Sequence, residues 1–209
     1  MAQIKAVQDQ TVKGDAEMYV VLASDSVGMA TAAQEAIDAG VTVVAGFTPL
    51  GPDFTTLEPQ VPGLVVVAET PVDNGKVLAE LAISACADLD PCNVGYFFGI
   101  KGTPIDTAVR LGFDEATAGS ANIKVVAEGE SQYLGPDVAL KATQDMLQKN
   151  PEINVISGPD QAMQGAQLAV EDAGSIDRIK LIGFGGSQAA LDAVAAGTWF
   201  GDVFGAPAT

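Results

Sequence analysis

The side chains with which this sequence can do chemistry are few. There is no histidine among its 209 residues, which removes the commonest general acid–base and the commonest metal ligand. The two cysteines, Cys86 and Cys92 in CADLDPC, are too few for a four-ligand zinc site. On either side of a Pro-containing turn, they can close a small disulfide loop, which would argue for an oxidising compartment. The other reading is two reduced thiols, one buried on a helix and one opening a strand. No GxxxxGK[ST] phosphate loop and no GxSxG nucleophile elbow occur. GFGGS at Gly183–Ser187 falls short of GxGxxG, lies late in the chain and has no acidic residue ending the next strand. Asp88/Asp90 and Glu128/Glu130 read as solvated acidic loops, not as hydrolytic pairs. The expectation is a protein that is not an enzyme and that uses neither cofactor nor metal.

What remains is a series of polar turns. The stretch NVISGPDQAMQGAQLAVEDAG (154–174) runs as a short apolar strand, breaks at Ser157-Gly158-Pro159-Asp160, and resumes as a small-residue helix. Asp160 has two compatible readings: a helix cap accepting from free backbone N–H groups, or a carboxylate aimed at a ligand. Asp25 and Ser26 carry the same duality.

Elements that position such turns follow from periodicity. Strands are expected at 18–23, 41–45, 64–68, 93–98, 123–127, 153–156, 179–183 and 200–204. Helices are expected at 29–39, 73–86, 104–118, 137–149, 161–173 and 188–196. Continuous apolar strands alternating with amphipathic helices predict an α/β fold of parallel sheets. Right-handed crossovers then bring every strand-to-helix turn to the carboxyl edge of its sheet, where ligands of open α/β sheets bind. Gly46–Pro62 is the one long irregular stretch.

With 48% hydrophobic residues the chain can build one large or two smaller cores. Against 27 acidic residues stand 10 basic ones, a formal charge of −17 that repels phosphate backbones and excludes nucleic acid as an expected partner. No apolar run reaches the ~18 residues of a membrane span. The N-terminal MAQIKAVQDQTVKGDAEM lacks the apolar core of a secretory signal, so an export signal would lie outside this sequence.

Taken in order, these motifs resemble a known family. The carboxyl half, "NVISGPDQAMQGAQLAVEDAG" followed by "IKLIGFGGSQAALDAVAAGTWFGDVFGAP", is similar to the ribose-type periplasmic sugar-binding proteins, the type I solute-binding components of ABC transporters. Upstream, "ASDS…AAQEAIDAGVTVVA", "ETPVDNGKVLAELA" and "GIKGTPIDTAVRLGFDEA" resemble further segments, so that the likeness runs from about Asp9 to Pro207. It implies two Rossmann-like lobes closing on a ligand at facing carboxyl edges, the first lobe incomplete. Residues 1–69 would form the partial N-terminal lobe and 70–206 the C-terminal lobe, with 207–209 starting the crossover back. The family has further elements at both ends, and by this resemblance the chain reads as an interior piece.

Several ligand positions of the family are altered. Phe47 stands for an Asp, Thr107 for an Arg (Arg110 is out of register), Pro159 for an Asn, Gly185 for an Asp and Gly205 for a Gln. This implies a ligand less polar than a free pentose, or a site using other residues. Tyr133, Phe98, Phe47 and Trp199 can supply apolar faces or simply core, while Glu69, Thr103, Thr107 and Asp160 can supply hydrogen bonds. The resemblance implies capture of a sugar-like small molecule, with an ABC permease as membrane partner. A monomer is expected, in the periplasm or outside the cell, with a lipid anchor an option. The alternatives are the effector-binding core of a LacI-type regulator and a receptor ectodomain; two reactive thiols in the native protein would favour the regulator.

Overall fold

The structure, a computed structural model, describes residues 2–204. It divides between Asp73 and Asn74 into two compact units, each an α/β arrangement on a wholly parallel sheet.

Unit 1 contains α1 (Ala2–Lys13), β1 (Met18–Val21), α2 (Ser26–Asp38), β2 (Thr42–Phe47) and β3 (Val65–Ala68), with the strands in the order β1-β2-β3. Asp25 caps α2, its carboxylate accepting from the Gly28 N–H at 2.8 Å. Met29, Ala32, Ala33 and Ala36 recur at helical spacing and are buried against Val21, Val43 and Ala45 of the sheet. The sequence pattern points to no element before Met18, yet α1 forms. Only Ile4 and Val7 from it pack on this core, too few to read as a periodic face. Its anchor is polar: the Gln3 amide donates to Leu22 O at 2.6 Å and accepts from the Ser24 N–H at 3.0 Å. The irregular stretch after β2 is partly core, burying Leu50, Phe54 and Val61.

Unit 2 takes in most of α3 (Pro71–Ala85), then β4 (Cys92–Phe98), α4 (Pro104–Thr117), β5 (Ile123–Glu130) and α5 (Pro136–Lys149). It continues with β6 (Val155–Pro159), α6 (Asp160–Asp172), β7 (Lys180–Phe184), α7 (Gln188–Ala195) and β8 (Gly201–Val203). The sheet order is β5-β4-β6-β7-β8. Val94, Tyr96 and Phe98 of β4 pack with Leu78, Ala82 and Phe113 on one face. Phe97 packs with Met163, Ile156 and Trp199 on the other. Trp199 and Phe98 are therefore core residues, the second of the two roles open to them. β6 runs on through Pro159, paired with Phe184, because Gly158 lets its backbone lie against Phe97: a Cβ there would fall 2.7 Å from the Phe97 carbonyl oxygen. Cys86 and Cys92 form a disulfide joining the end of α3 to the start of β4. No helix among the described residues is long and apolar enough to cross a membrane.

Candidate ligand site

In unit 2 the parallel strands deliver four turns to one edge of the sheet: Gly99–Thr103, Ser131–Gly135, Pro159–Asp160 and Gly185–Ser187. The first two are built around Asp106, in the first turn of α4 and buried. Its carboxylate accepts from Gly99 N–H at 2.7 Å, Ile100 N–H at 3.2 Å, Thr103 Oγ1 at 2.7 Å and Tyr133 Oη at 3.1 Å. Thr103 reciprocates as the N-cap of α4. Asp106 thus gathers two of the residues singled out in the sequence, Thr103 and Tyr133, without being singled out itself. Its signature was present as Thr103-x-x-Asp106, the capping-box spacing.

Tyr133 sits at φ +54° after Gln132 at +55°, with its ring over Gly99, where a Cβ would be 1.8 Å from a ring carbon. Tyr133 is 43% exposed, so a ring stands at the sheet edge with its hydroxyl tied down. Burial, then the negative Asp106, pushes the Tyr133 hydroxyl pKa up, so it stays a neutral O–H donor. Thr107 lies exposed on α4. Arg110, one turn further on, stacks over Tyr96 at 4.9 Å and Phe98 at 5.7 Å. It pairs with Asp114 at 2.8 Å and Glu128 at 2.6 Å. Burial weighs against its charge, but these two carboxylates outweigh burial and raise its pKa. Lys101 also bonds Glu128 and, with Arg110, holds that carboxyl below its usual range against the cost of burial. The cation nearest the family's arginine position is therefore already neutralised.

At the other two turns, Pro159 occupies the N-cap position of α6 with no side-chain cap bond, and Asp160 is the helix's first residue. The capping reading of Asp160 is thus corrected: its Oδ2 accepts at 2.8 Å from the N–H of Ser187, in the neighbouring turn. Gly185, exposed at φ +152°, has Asp160 Oδ2 so near that a Cβ would meet it at 2.9 Å. Pro159, Asp160 and Gly185 therefore form one cluster. Gly205 lies outside the described residues.

In unit 1 the corresponding edge holds Phe47 and Glu69. Phe47 ends β2 at φ +71° with its side chain 57% exposed, and its carbonyl accepts from the Glu69 N–H at 3.3 Å. Beside them Ser26 Oγ and Thr48 Oγ1 are buried without a partner. Surface depressions lie elsewhere on unit 2, one of about 360 Å³ lined by Val126, Met146 and Lys149 and one of about 530 Å³ lined by Glu171, Lys180 and Phe200. Among the described residues no group of three or more His, Cys, Asp or Glu is placed to hold a metal ion. At these edges the rings of Phe47 and Tyr133 and the side chain of Thr107 are exposed, while the Thr103 and Tyr133 hydroxyls and the Gly99, Ile100 and Ser187 N–H groups are engaged within the protein.

The sequence matches the family described as periplasmic binding protein domain over residues 1–209. The chain belongs to that family. Among solved structures, a solute-binding protein of an ABC transporter from Actinobacillus succinogenes 130z with bound D-allose aligns with a TM-score of 0.78 at 24% identity, covering 94% of this chain and 67% of its own. The Caulobacter myo-inositol binding protein, bound to myo-inositol, gives 0.78 at 25% identity, with 94% and 64% covered. A galactofuranose binding protein gives 0.80 at 19% identity, with 94% and 66% covered. The chain thus spans about two thirds of the length of these three proteins. No curated protein sequence matches it.

Proposed function

We propose that this chain is the ligand-binding part of an extracytoplasmic solute-binding protein for a neutral sugar or polyol, working with an ABC permease and carrying out no chemistry on its ligand. The carrying observation is the family match over the whole chain, together with the carboxyl-edge turns ordered around Asp106 and Asp160. Sugar pairs hydroxyls with a weakly polar C–H face, and the exposed rings of Tyr133 and Phe47 beside carboxylate and hydroxyl groups suit both. The ligand-binding residues of this reading are Phe47, Glu69, Thr103, Thr107, Tyr133, Pro159, Asp160, Gly185 and Gly205. The Cys86–Cys92 disulfide and the −17 charge support an oxidising compartment over a DNA-linked regulator.

Thermal denaturation of the chain with D-allose, D-fucose, myo-inositol and ribose tests this. A ligand at a hundred times its Kd contributes about 2.7 kcal/mol, which for a chain of this size raises Tm by roughly 5–10 °C. An equal response to none of these but to a charged or purely aromatic solute would overturn the reading.

A further inference from the structure

Two carboxyl groups meet behind the turn that joins β7 to α7. Asp160 is 2% exposed; Asp202, in β8, lies in register with Gly183. Each holds a backbone N–H of that turn, Ser187 donating to Asp160 Oδ2 at 2.8 Å and Gly186 to Asp202 Oδ2 at 3.0 Å. Their remaining oxygens, both Oδ1, are buried without a hydrogen-bond partner. Both lie beneath Gly183, where a Cβ would be 2.5 Å from Asp202 Oδ1 and 2.8 Å from Asp160 Oδ1. As two carboxylates these oxygens only accept, and they repel. A single proton turns one of them into a donor and satisfies both.

We propose that Asp160 and Asp202 share one proton and together latch the Gly185–Ser187 turn, with Asp202 acting as a positioning residue for a ligand-binding loop. That the loop touches ligand rests on the function proposed above; the latch itself does not. Neighbouring polar groups among the described residues bond elsewhere. Lys180 of β7 bonds the Ala85 carbonyl, Asp192 of α7 is held by Gln188, and Trp199 donates to Gln167. Leu81 of α3 lies against Gly201. Burial, then the bond and charge of Asp160, push the Asp202 carboxyl from 3.8 up to about 7, against the pull of the Gly186 and Val203 backbone. The folded state therefore keeps a proton that the unfolded chain loses near pH 4. The pair's stabilisation is full below that pH, declines as pH rises toward 7 and then levels off, and the turn is held by an uncompensated dianion above it.

The test needs no ligand. Amide exchange at Gly186 and Ser187, corrected for intrinsic rates, is followed from pH 5 to 9 in the whole chain and in Asp202→Asn. The replacement amide donates to Asp160 Oδ1 permanently and keeps an acceptor for Gly186. Protection in the wild type falls at least about tenfold between pH 5 and 7 and levels off above that, while the variant stays flat. Asp160→Asn, which places the donor on the other side, gives the same flat profile and serves where the first variant does not fold. Identical pH profiles in wild type and variants overturn the latch, whether or not D-allose binds. Where D-allose does bind, its affinity weakens above pH 7 in the wild type alone.

Discussion

The two units repeat one β–α building block but treat their sheets differently. In unit 2 every residue of β4 and β6 is buried, because helices cover both faces. In unit 1 the sheet is covered on the Val21, Val43 and Ala45 side, while Met18, Val20, Leu22, Val65 and Val67 are exposed on the other. Each such side chain forgoes part of the about 1.5–3 kcal/mol that full burial contributes. The difference teaches that an apolar strand pattern reports what a strand is able to bury, and neighbours decide whether it does. Unit 2 draws its stability from two cores, unit 1 from one.

The largest consequence is which unit survives stress. Under limited proteolysis the persistent fragment is expected within residues 70–204, with cleavage concentrated before it. Mass spectrometry of the fragments decides, and a resistant core drawn from residues 2–73 would reverse the comparison.

Close packing gives the next contrast. Gly165 of α6 lies so near α5 that a Cβ would fall 2.2 Å from the Pro136 carbonyl oxygen, whereas a Cβ on Gly46 of β2 would meet Val20 Cγ1 at an ordinary 3.6 Å. Gly165→Ala should cost about 3 kcal/mol, and Gly46→Ala under about 1 kcal/mol. Chemical denaturation of both variants measures this; equal costs would mean that unit 2 has the slack to yield.

Aspartates at helix starts extend the contrast to the candidate site. Asp25 in unit 1 caps α2 through one N–H, while Asp106 in unit 2 serves two backbone N–H groups and two hydroxyls in a buried setting. Asp25→Ala should cost about 1 kcal/mol. Asp106→Ala leaves buried donors unpaired and should cost about 3 kcal/mol, with faster amide exchange at Gly99 and Ile100 as the local readout.

This contrast also marks what the sequence displays. The strand–helix alternation was legible because most strands carry a run of Val, Ile, Leu or Phe and the turns that follow them are rich in Gly, Pro, Ser, Thr or Asp. The turns holding Thr103, Tyr133, Asp160 and Gly185 were legible for the same reason. Asp202 was not: it is a lone acid inside FGDVFG, and only the parallel register of β7 and β8 brings it to Asp160. Nor was the open face of unit 1, since Val20 and Val94 look alike in sequence while one is 73% and the other 0% exposed. The left-handed backbone at Phe47 has no sequence signal, because an aromatic side chain there runs against local preference.

The smallest effect is the sharpest probe of that open face. Val20→Lys places a charge where the side chain already meets water, with Val44 and Gly46 on the adjoining strand. Its stability should change by less than about 0.5 kcal/mol, while self-association at high concentration, read by sedimentation, should fall because a charged exposed strand resists edge and face pairing. The same charge at Ile156, fully buried on β6, would prevent unit 2 from folding. A Val20→Lys variant that is strongly destabilised would mean that this face is covered in solution, and unit 1 would then resemble unit 2 after all.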